Sequence, residues 1–248
     1  MYKVEMAELS IASPQRQLSG VPPGIKAGAR RRWFELVLVM LVAFSRSIVG
    51  SIYILVSGPG SQKLFSTGSM ILGIAEELTG LLMLGYVLSR TQRRFADIGL
   101  KWSVRDVGIG LVVAVLAYLS YAAGYRGLYT IHYAIFGSAA AYRPASAFFG
   151  HPGAAAVAFI LINPFFEELI VRAYLMTEIL ELTGSTLLAM FLSVALQFSY
   201  HLYYGWFIAL SLSFQFLVFA GFFAGLRRAL PIVVAHGVFD IYALIRLF

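Results

Sequence analysis

The sequence predicts an all-α membrane protein, a polytopic transmembrane helix bundle with about seven to eight spans. Of its 248 residues, 60% are hydrophobic and only 12% are charged, whereas a soluble domain carries about 25% charged residues. So few charges cannot cover a surface exposed to water, and several apolar segments reach the roughly 20 residues that cross a bilayer. The chain has no cysteine, which also excludes disulfides, thiolate metal sites and cysteine nucleophiles.

Seven apolar segments are candidate spans, and one further segment is ambiguous. The seven cover roughly residues 33–57, 69–89, 107–125, 153–181, 184–201, 205–226 and 229–247. Residues 127–141 would add an eighth span if they insert as a helix of their own. Residues 1–28 are polar and contain three prolines, so we expect a flexible cytosolic tail before a single transmembrane domain over 29–248.

The positive charges of the chain predict its orientation in the membrane. The net charge is +7, and the basic residues cluster between the apolar segments, as in Arg30–Arg32 and Arg227–Arg228. In membrane proteins such clusters mark the cytoplasmic ends of spans. We therefore expect a multi-pass protein of the cell membrane with a cytoplasmic N-terminus, whose partner is the lipid bilayer and not nucleic acid.

Three ionisable residues in the first two spans are candidates for a structural ion pair. Arg46 lies in the first span, and Glu76 and Glu77 lie in the second. In an antiparallel hairpin, the helical rise of about 1.5 Å per residue places them at similar depths. Because charges within a membrane tend to pair with one another, we expect a structural role, with an accessory role in a polar cavity as the alternative.

The fourth span carries adjacent carboxylates in Glu167-Glu168-Leu-Ile-Val-Arg172. Glu168 and Arg172 are spaced i,i+4 and meet on one helix face. Glu167 lies about 100° further round the axis, so Arg172 neutralises Glu168 more easily than Glu167. Pro164 disturbs the preceding turn. One carboxylate is therefore predicted to be paired and the other to face elsewhere, with a fully structural Glu–Arg network as the alternative.

Two histidines and an aspartate follow on later spans. His201 ends an apolar run, and His236 and Asp240 are spaced i,i+4 on the last apolar segment. His236 and Asp240 can hydrogen-bond along one helix face. A satisfied interfacial histidine and an internal helix brace are the structural alternatives for His201 and for this pair.

The combined set of carboxylates and imidazoles suits two kinds of hydrolysis. One is general-base activation of water with polar stabilisation of an oxyanion, and the other is metal-assisted hydrolysis by carboxylate and histidine ligands. The sequence contains no H-E-x-x-H of zinc proteases, no GxGD of aspartyl intramembrane proteases and no convincing nucleophilic serine. We therefore expect a hydrolase without a cofactor, although a metal stays open.

Three motifs together resemble a known family of membrane proteases. Glu167-Glu168-x-x-x-Arg172, His201 and His236-x-x-x-Asp240 are similar to motifs one, two and three of the CPBP family. This family contains the CAAX proteases and bacteriocin-processing enzymes, also called Abi proteins. The resemblance is strongest over a family core at about 155–245, and it implies intramembrane proteolysis by a glutamate-dependent endopeptidase acting on a peptide or membrane-protein substrate.

The resemblance also implies roles for the motif residues. Glu167 would act with His201 to activate the attacking water, and His236 with position 240 would stabilise the oxyanion. Glu168 and Arg172 would support the site. The chain departs from the family at Gln197, where motif two usually has phenylalanine, and at Asp240, where motif three often has asparagine.

Two other functions compete with proteolysis. Family members are also linked to bacteriocin immunity and to scaffolding, in which case the same residues would brace the bundle. Buried glutamates and histidines could also relay protons in a transporter. A transporter often shows paired broken helices in two related halves, and the sequence shows no such pairing.

Overall fold

The computed structural model describes residues 23–57, 66–138 and 153–246, and all regular structure in these ranges is helical. The longer helices are α1 Pro23–Ser57, α2 Thr67–Arg90, α3 Val104–Phe136, α4 Ala154–Glu167, α5 Leu175–Thr183, α6 Thr186–Tyr200, α7 Trp206–Leu226 and α8 Leu230–Ile245. A π-helical segment, Glu168–Tyr174, joins α4 to α5, and short 3-10 turns occupy Phe95–Ile98 and Leu202–Tyr204. The predicted all-α helix bundle is confirmed.

Each of the seven predicted spans corresponds to a helical stretch. Five are long and apolar enough to cross a membrane: Gly28–Ser57, Thr67–Arg90, Val104–Phe136, Ala154–Thr183 and Trp206–Leu226. Thr186–Tyr200 and Leu230–Ile245 are shorter apolar helices. Residues 127–136 continue α3 instead of forming a separate helix, and residues 139–141 lie outside the described ranges. Of the predicted tail, residues 1–22 also lie outside them, and α1 already begins at Pro23.

The turn between α5 and α6 sets the position of the later helices. Gly184 closes α5 with a left-handed backbone at φ 71°, a conformation that glycine adopts without a Cβ penalty. Ser185 then caps α6, because its hydroxyl accepts a hydrogen bond from the Leu188 amide at 3.2 Å. The tight reversal makes α5 and α6 antiparallel neighbours, so that the end of α6 returns toward the middle of the membrane.

Helices pack closely where glycine faces a neighbouring helix. A Cβ at Gly110 of α3 would lie 2.7 Å from the carbonyl oxygen of Pro231 in α8. A Cβ at Gly80 of α2 would lie 2.6 Å from the ring of Phe166 in α4. Small residues allow such approach between membrane helices. These contacts hold α2 and α3 against the helices that carry the candidate site residues.

One end of the bundle is held by ion pairs, and its outer faces are apolar. Glu178 of α5 accepts hydrogen bonds from Arg32 at 2.8 Å and from Arg93 at 2.5 Å. At the same end Arg228 lies 2.7 Å from Asp106. Large side chains such as Leu82, which is 74% exposed, cover the outside of the helices. An apolar exterior with charges gathered at an end is the surface expected of a chain surrounded by lipid.

Candidate active site

A cavity of about 340 Å³ opens between α1, α2, α4, α8 and the turn that follows α6. Most of the ionisable residues singled out in the spans line its wall. The polar lining includes Arg46, Glu76, Glu77, Asn163, Glu167, His201, His236 and Asp240. Polar groups at membrane depth are tolerated where they line a wet cavity. The structure therefore brings five separate parts of the sequence to one polar pocket.

The adjacent carboxylates Glu167 and Glu168 lie at the junction of α4 and the π-helical segment. This junction is part of the fourth helical stretch, Ala154–Thr183. Pro164 has no amide hydrogen to donate within α4, and the helix passes into the π-helical segment at Glu168. Such π segments inside α-helices occur frequently at functional sites. Glu167 is 7% exposed and lines the cavity, whereas Glu168 is fully buried beside it. The local winding therefore turns both carboxylates into the bundle.

Neutral hydrogen-bond donors hold the Glu167 carboxylate. The Tyr200 hydroxyl donates to Oε2 at 2.6 Å, and the Gln197 amide donates to the same oxygen at 3.0 Å. The amide of Asn163 lies 3.3 Å from Oε1. Arg172 instead lies 3.5 Å from Glu168, as the i,i+4 spacing predicts. Glu167 is thus oriented by hydrogen bonds without direct neutralisation by the arginine.

His201 caps the end of α6 and reaches the same depth as Glu167. By the helical rise, the end of α6 is about 22 Å from its start, and Glu167 lies about 24 Å from the end of α5. Because α5 and α6 meet at the tight turn, the two side chains lie at matching depths. Because α6 is short, His201 at its end lies at the depth of Glu167, which is in the middle of the fourth helical stretch.

One ring nitrogen of His201 is fixed by the backbone. Nδ1 lies 2.9 Å from the carbonyl oxygen of Gln197, and a carbonyl can only accept. Nδ1 therefore carries the hydrogen in this contact, which makes Nε2 the nitrogen that can accept a proton. The ring of Phe216 packs against the imidazole with its centroid 5.0 Å away. This aromatic support comes from α7 and not from the motif position on α6.

His236 lies between two carboxylates. Its Nδ1 is 2.8 Å from Glu168 Oε1, a hydrogen-bonding distance, and its Nε2 is 3.6 Å from Asp240 Oδ1. Asp240 Oδ2 is buried and has no hydrogen-bond partner among the described residues. Glu168 therefore sets the orientation of the imidazole, and Asp240 lies beside the Nε2 edge.

Gln197 links the arginine to the candidate base. Its side-chain oxygen accepts a hydrogen bond from Arg172 Nη2, and its nitrogen donates to Glu167. The guanidinium also lies 5.7 Å from the Phe216 ring centroid and 5.8 Å from that of Phe219. Where the resembling family usually has phenylalanine, this chain therefore has an amide that connects two charged side chains.

Of the three ionisable residues in the first two spans, two form the predicted ion pair and the third has a different partner. Arg46 Nη1 lies 3.0 Å from Glu76 Oε2. Glu77 instead accepts a hydrogen bond from Asn163 at 2.8 Å, and its other carboxylate oxygen is buried without a hydrogen-bond partner among the described residues. Asn163 thus bridges Glu77 and Glu167, which connects α2 to the candidate site.

Sequence reasoning missed Asn163, Gln197 and Tyr200 as parts of the carboxylate network. Asn163 precedes Glu167 by one helical turn, and this i,i+4 spacing was a usable signal. Tyr200 and Gln197 reach Glu167 from another helix. Only the packing of α6 against the fourth helical stretch brings them together, so their local spacing does not indicate it.

Three of these side chains could also hold a metal ion. Glu167, Glu168 and His236 each offer a ligand atom, and these atoms lie within 4.8 Å of one another. However, Arg172 Nε lies 3.5 Å from Glu168 Oε2, and a fixed cation opposes a second cation at the same carboxylate. The donor set therefore permits a metal, while its charge environment favours chemistry by the side chains alone.

The apolar helices are those of a multi-pass membrane protein, and the polar cavity between them is a candidate site for polar chemistry. Residues 150–242 match the family described as Type II CAAX prenyl endopeptidase Rce1-like. This segment contains all three motifs, and the match bears out over its length the resemblance that they gave. The search of curated proteins and the search of solved structures gave no match.

Proposed function

We propose that this chain is an intramembrane endopeptidase that hydrolyses a peptide bond with water activated by Glu167 and His201. The observation that carries the proposal is the Glu167 carboxylate. It is buried at the cavity wall and held by the neutral donors Tyr200 and Gln197. A carboxylate fixed in this way, with an imidazole in the same cavity, is suited to general-base catalysis.

The proposed reaction assigns one role to each group in the cavity. Glu167, assisted by His201 Nε2, takes a proton from a water molecule as its oxygen bonds to the scissile carbonyl carbon. His236 acts in its charged form, with a hydrogen on each ring nitrogen, and donates from Nε2 to the oxyanion that forms on the carbonyl oxygen. The bond between the carbonyl carbon and the nitrogen then breaks. The proton that Glu167 took up, with the assistance of His201, passes to the leaving amine. The products are a carboxylate and an amine, and no covalent enzyme intermediate forms.

Glu168 and Arg172 support this chemistry without touching the substrate. Glu168 accepts from His236 Nδ1 at 2.8 Å, so the other nitrogen is directed toward Asp240 and the cavity. Arg172 is completely buried and balances the charge of Glu168. Removing either partner of a buried pair leaves an uncompensated charge, which costs about 3–5 kcal/mol. These two residues therefore belong to the scaffold of the site.

The first test compares membranes from cells that express the wild type, Glu167→Gln or His201→Ala. Both substitutions should abolish cleavage, so membrane peptides that the wild type processes should accumulate uncut in both variants. Glu181→Gln is the matched control, because Glu181 is an exposed glutamate that pairs with Arg32 at the far end of α5. Peptide mass spectrometry of the membranes measures the amount of uncut peptide and the amount of the new termini that cleavage creates.

Each variant must also remain folded for the result to count. Purified Glu167→Gln and His201→Ala should be monodisperse in detergent and unfold as cooperatively as the wild type. If folded Glu167→Gln produced the same new termini as the wild type, Glu167 would not be the base. If the protein is not a peptidase and these residues only stabilise the helix bundle, the wild type and Glu167→Gln should give the same set of termini.

A further inference from the structure

The two ends of the bundle differ strongly in positive charge. The end formed by the start of α1, the turn from α2 to α3 and the turn from α7 to α8 contains eleven basic residues: Lys26, Arg30, Arg31, Arg32, Arg90, Arg93, Arg94, Lys101, Arg105, Arg227 and Arg228. We call this the basic end. Among the described residues, the opposite end has Arg126 and Arg246. The sequence of the connecting segments there adds Lys63 and Arg143.

This asymmetry gives an orientation. Lys and Arg near the ends of spans favour the cytoplasmic side, and the rule counts basic residues and not net charge. The acidic partners at the basic end, such as Glu178 and Asp106, therefore do not cancel the bias. The basic end is assigned to the cytoplasm and the opposite end to the extracytoplasmic face.

The cavity extends from the candidate base away from the basic end. On α1 its lining runs from Ala43 to Ile54, close to the end of the helix at Ser57. On α2 it runs from Ser69 to Glu77, in the first half of that helix. On α8 it runs from His236 to Ala243 and leaves out the first six residues, which lie toward the basic end. All three helices therefore contribute the part that lies toward the opposite end.

Between the cavity and the basic end the protein is closely packed. The chain from Leu169 to Ile179 is buried at every position. Arg172 within it is 0% exposed, and Thr177 is 2% exposed and accepts a hydrogen bond from Arg227 of the basic end. This part of the fourth helical stretch separates Glu167 from the cytoplasmic side, so a peptide cannot reach the base along that route.

We propose that the catalytic cavity opens to the extracytoplasmic face and takes its substrate there. The substrate class is then an exported polypeptide, or the outer segment of a membrane-anchored one, cut close to the membrane surface. A prenylated C-terminus of a cytoplasmic protein would face the closed side of the bundle. The substrate class rests on the proposed peptidase function, whereas the side on which the cavity opens does not.

The absence of cysteine allows a direct test by single-cysteine labelling. Gly50 lines the cavity on α1, and Gly28 lies at the basic end of the same helix. A Cβ added at either glycine would meet no atom within 4 Å, so Gly50→Cys and Gly28→Cys form a matched pair. Ser57→Cys, at the exposed end of α1, reports the outer face without entering the cavity.

The three variants are treated in intact cells with a membrane-impermeant thiol reagent. We expect Ser57→Cys and Gly50→Cys to be labelled at once and Gly28→Cys only after the cells are permeabilised. Labelling of Gly28→Cys in intact cells, with Ser57→Cys protected, would overturn the orientation. Labelling of Ser57→Cys without Gly50→Cys would overturn the open route into the cavity.

These readouts are independent of proteolysis. If labelling follows the expected pattern but Glu167→Gln changes no cleavage, the proposed function fails and the orientation stands. If cleavage depends on Glu167 but labelling is reversed, the access route fails and the peptidase stands. When both hold, modification of Gly50→Cys from outside should also block cleavage, while modification of Ser57→Cys should not.

Discussion

At the scale of single residues, the site depends on how one carboxylate is oriented. Glu167 accepts hydrogen bonds from Tyr200 and Gln197, whereas Arg172 is placed against Glu168. Gln197 connects these two charged groups, because its amide contacts both Arg172 and Glu167. The proposed base is therefore positioned by groups that do not neutralise it directly.

Replacing Gln197 by leucine should slow catalysis by about 10–100-fold, because small misplacement of a catalytic group is costly. The change removes a donor to Glu167 and leaves buried polar groups unsatisfied, at about 1–3 kcal/mol. The measurement is kcat and KM on the purified protein, and we expect the loss in kcat with little change in KM. Gln215→Leu, at another buried glutamine, should leave kcat near the wild-type value. An unchanged kcat for folded Gln197→Leu would contradict a positioning role.

Replacing Asp240 by asparagine should preserve or raise the rate of cleavage. His236 is oriented by Glu168 at 2.8 Å, while Asp240 lies 3.6 Å from the other nitrogen. An asparagine amide can donate to an oxyanion, which an ionised carboxylate cannot do. Glu168→Gln is the contrasting variant and should slow cleavage because it weakens the bond that orients His236. A severe loss in Asp240→Asn with wild-type rates in Glu168→Gln would reverse this assignment.

The residues of the three motifs could be predicted from sequence because charges inside apolar spans are rare and their i,i+4 spacings are local. Glu168 with Arg172 and His236 with Asp240 are such local pairs. The bonds from Tyr200 and Gln197 to Glu167 could not be predicted, because they depend on which faces of two helices meet. The same limit explains Glu77, whose contact with Asn163 follows from the packing of α2 against α4.

At the scale of helices, two irregular elements bring the site together. The π-helical segment Glu168–Tyr174 turns consecutive carboxylates toward different partners. The short α6 ends at Tyr200, so His201 meets Glu167 within the bundle. Apolar patterning predicted the helical stretches themselves. The same patterning placed the end of the third span at about residue 125. The helix α3 continues to Phe136, because the more polar residues after 125 remain helical.

The close contact between α3 and α8 gives a prediction at this scale. Gly110→Ala should lower stability by about 1–3 kcal/mol, the usual cost of overpacking, since the new Cβ would lie 2.7 Å from the Pro231 carbonyl oxygen. Gly108→Ala, two positions earlier with nothing within 4 Å, should be neutral or slightly stabilising because alanine favours helix. Thermal unfolding in detergent compares the two. Equal midpoints would show that α3 and α8 can separate freely at this contact.

At the scale of the whole molecule, the scarcity of charge has a clear spatial pattern. Most basic residues and their acidic partners gather at one end, apolar side chains cover the outside, and most of the other carboxylates and histidines in the described residues line one cavity. Buried charge is expensive in a membrane, so its concentration at one site indicates chemistry at that site. Because the described residues are closely packed toward the basic end, the proposed route of access is from the opposite end.

The central claim is that Glu167 activates the water that cuts a peptide bond, and the most direct measurement is cleavage by the purified, lipid-reconstituted protein. The substrate is a peptide that accumulates in membranes of the Glu167→Gln cells. We predict that the wild type cleaves it and that Glu167→Gln is slower by about 10²–10⁴-fold, the usual contribution of a general base, while Glu181→Gln matches the wild type. Equal rates for the wild type and folded Glu167→Gln would contradict the account.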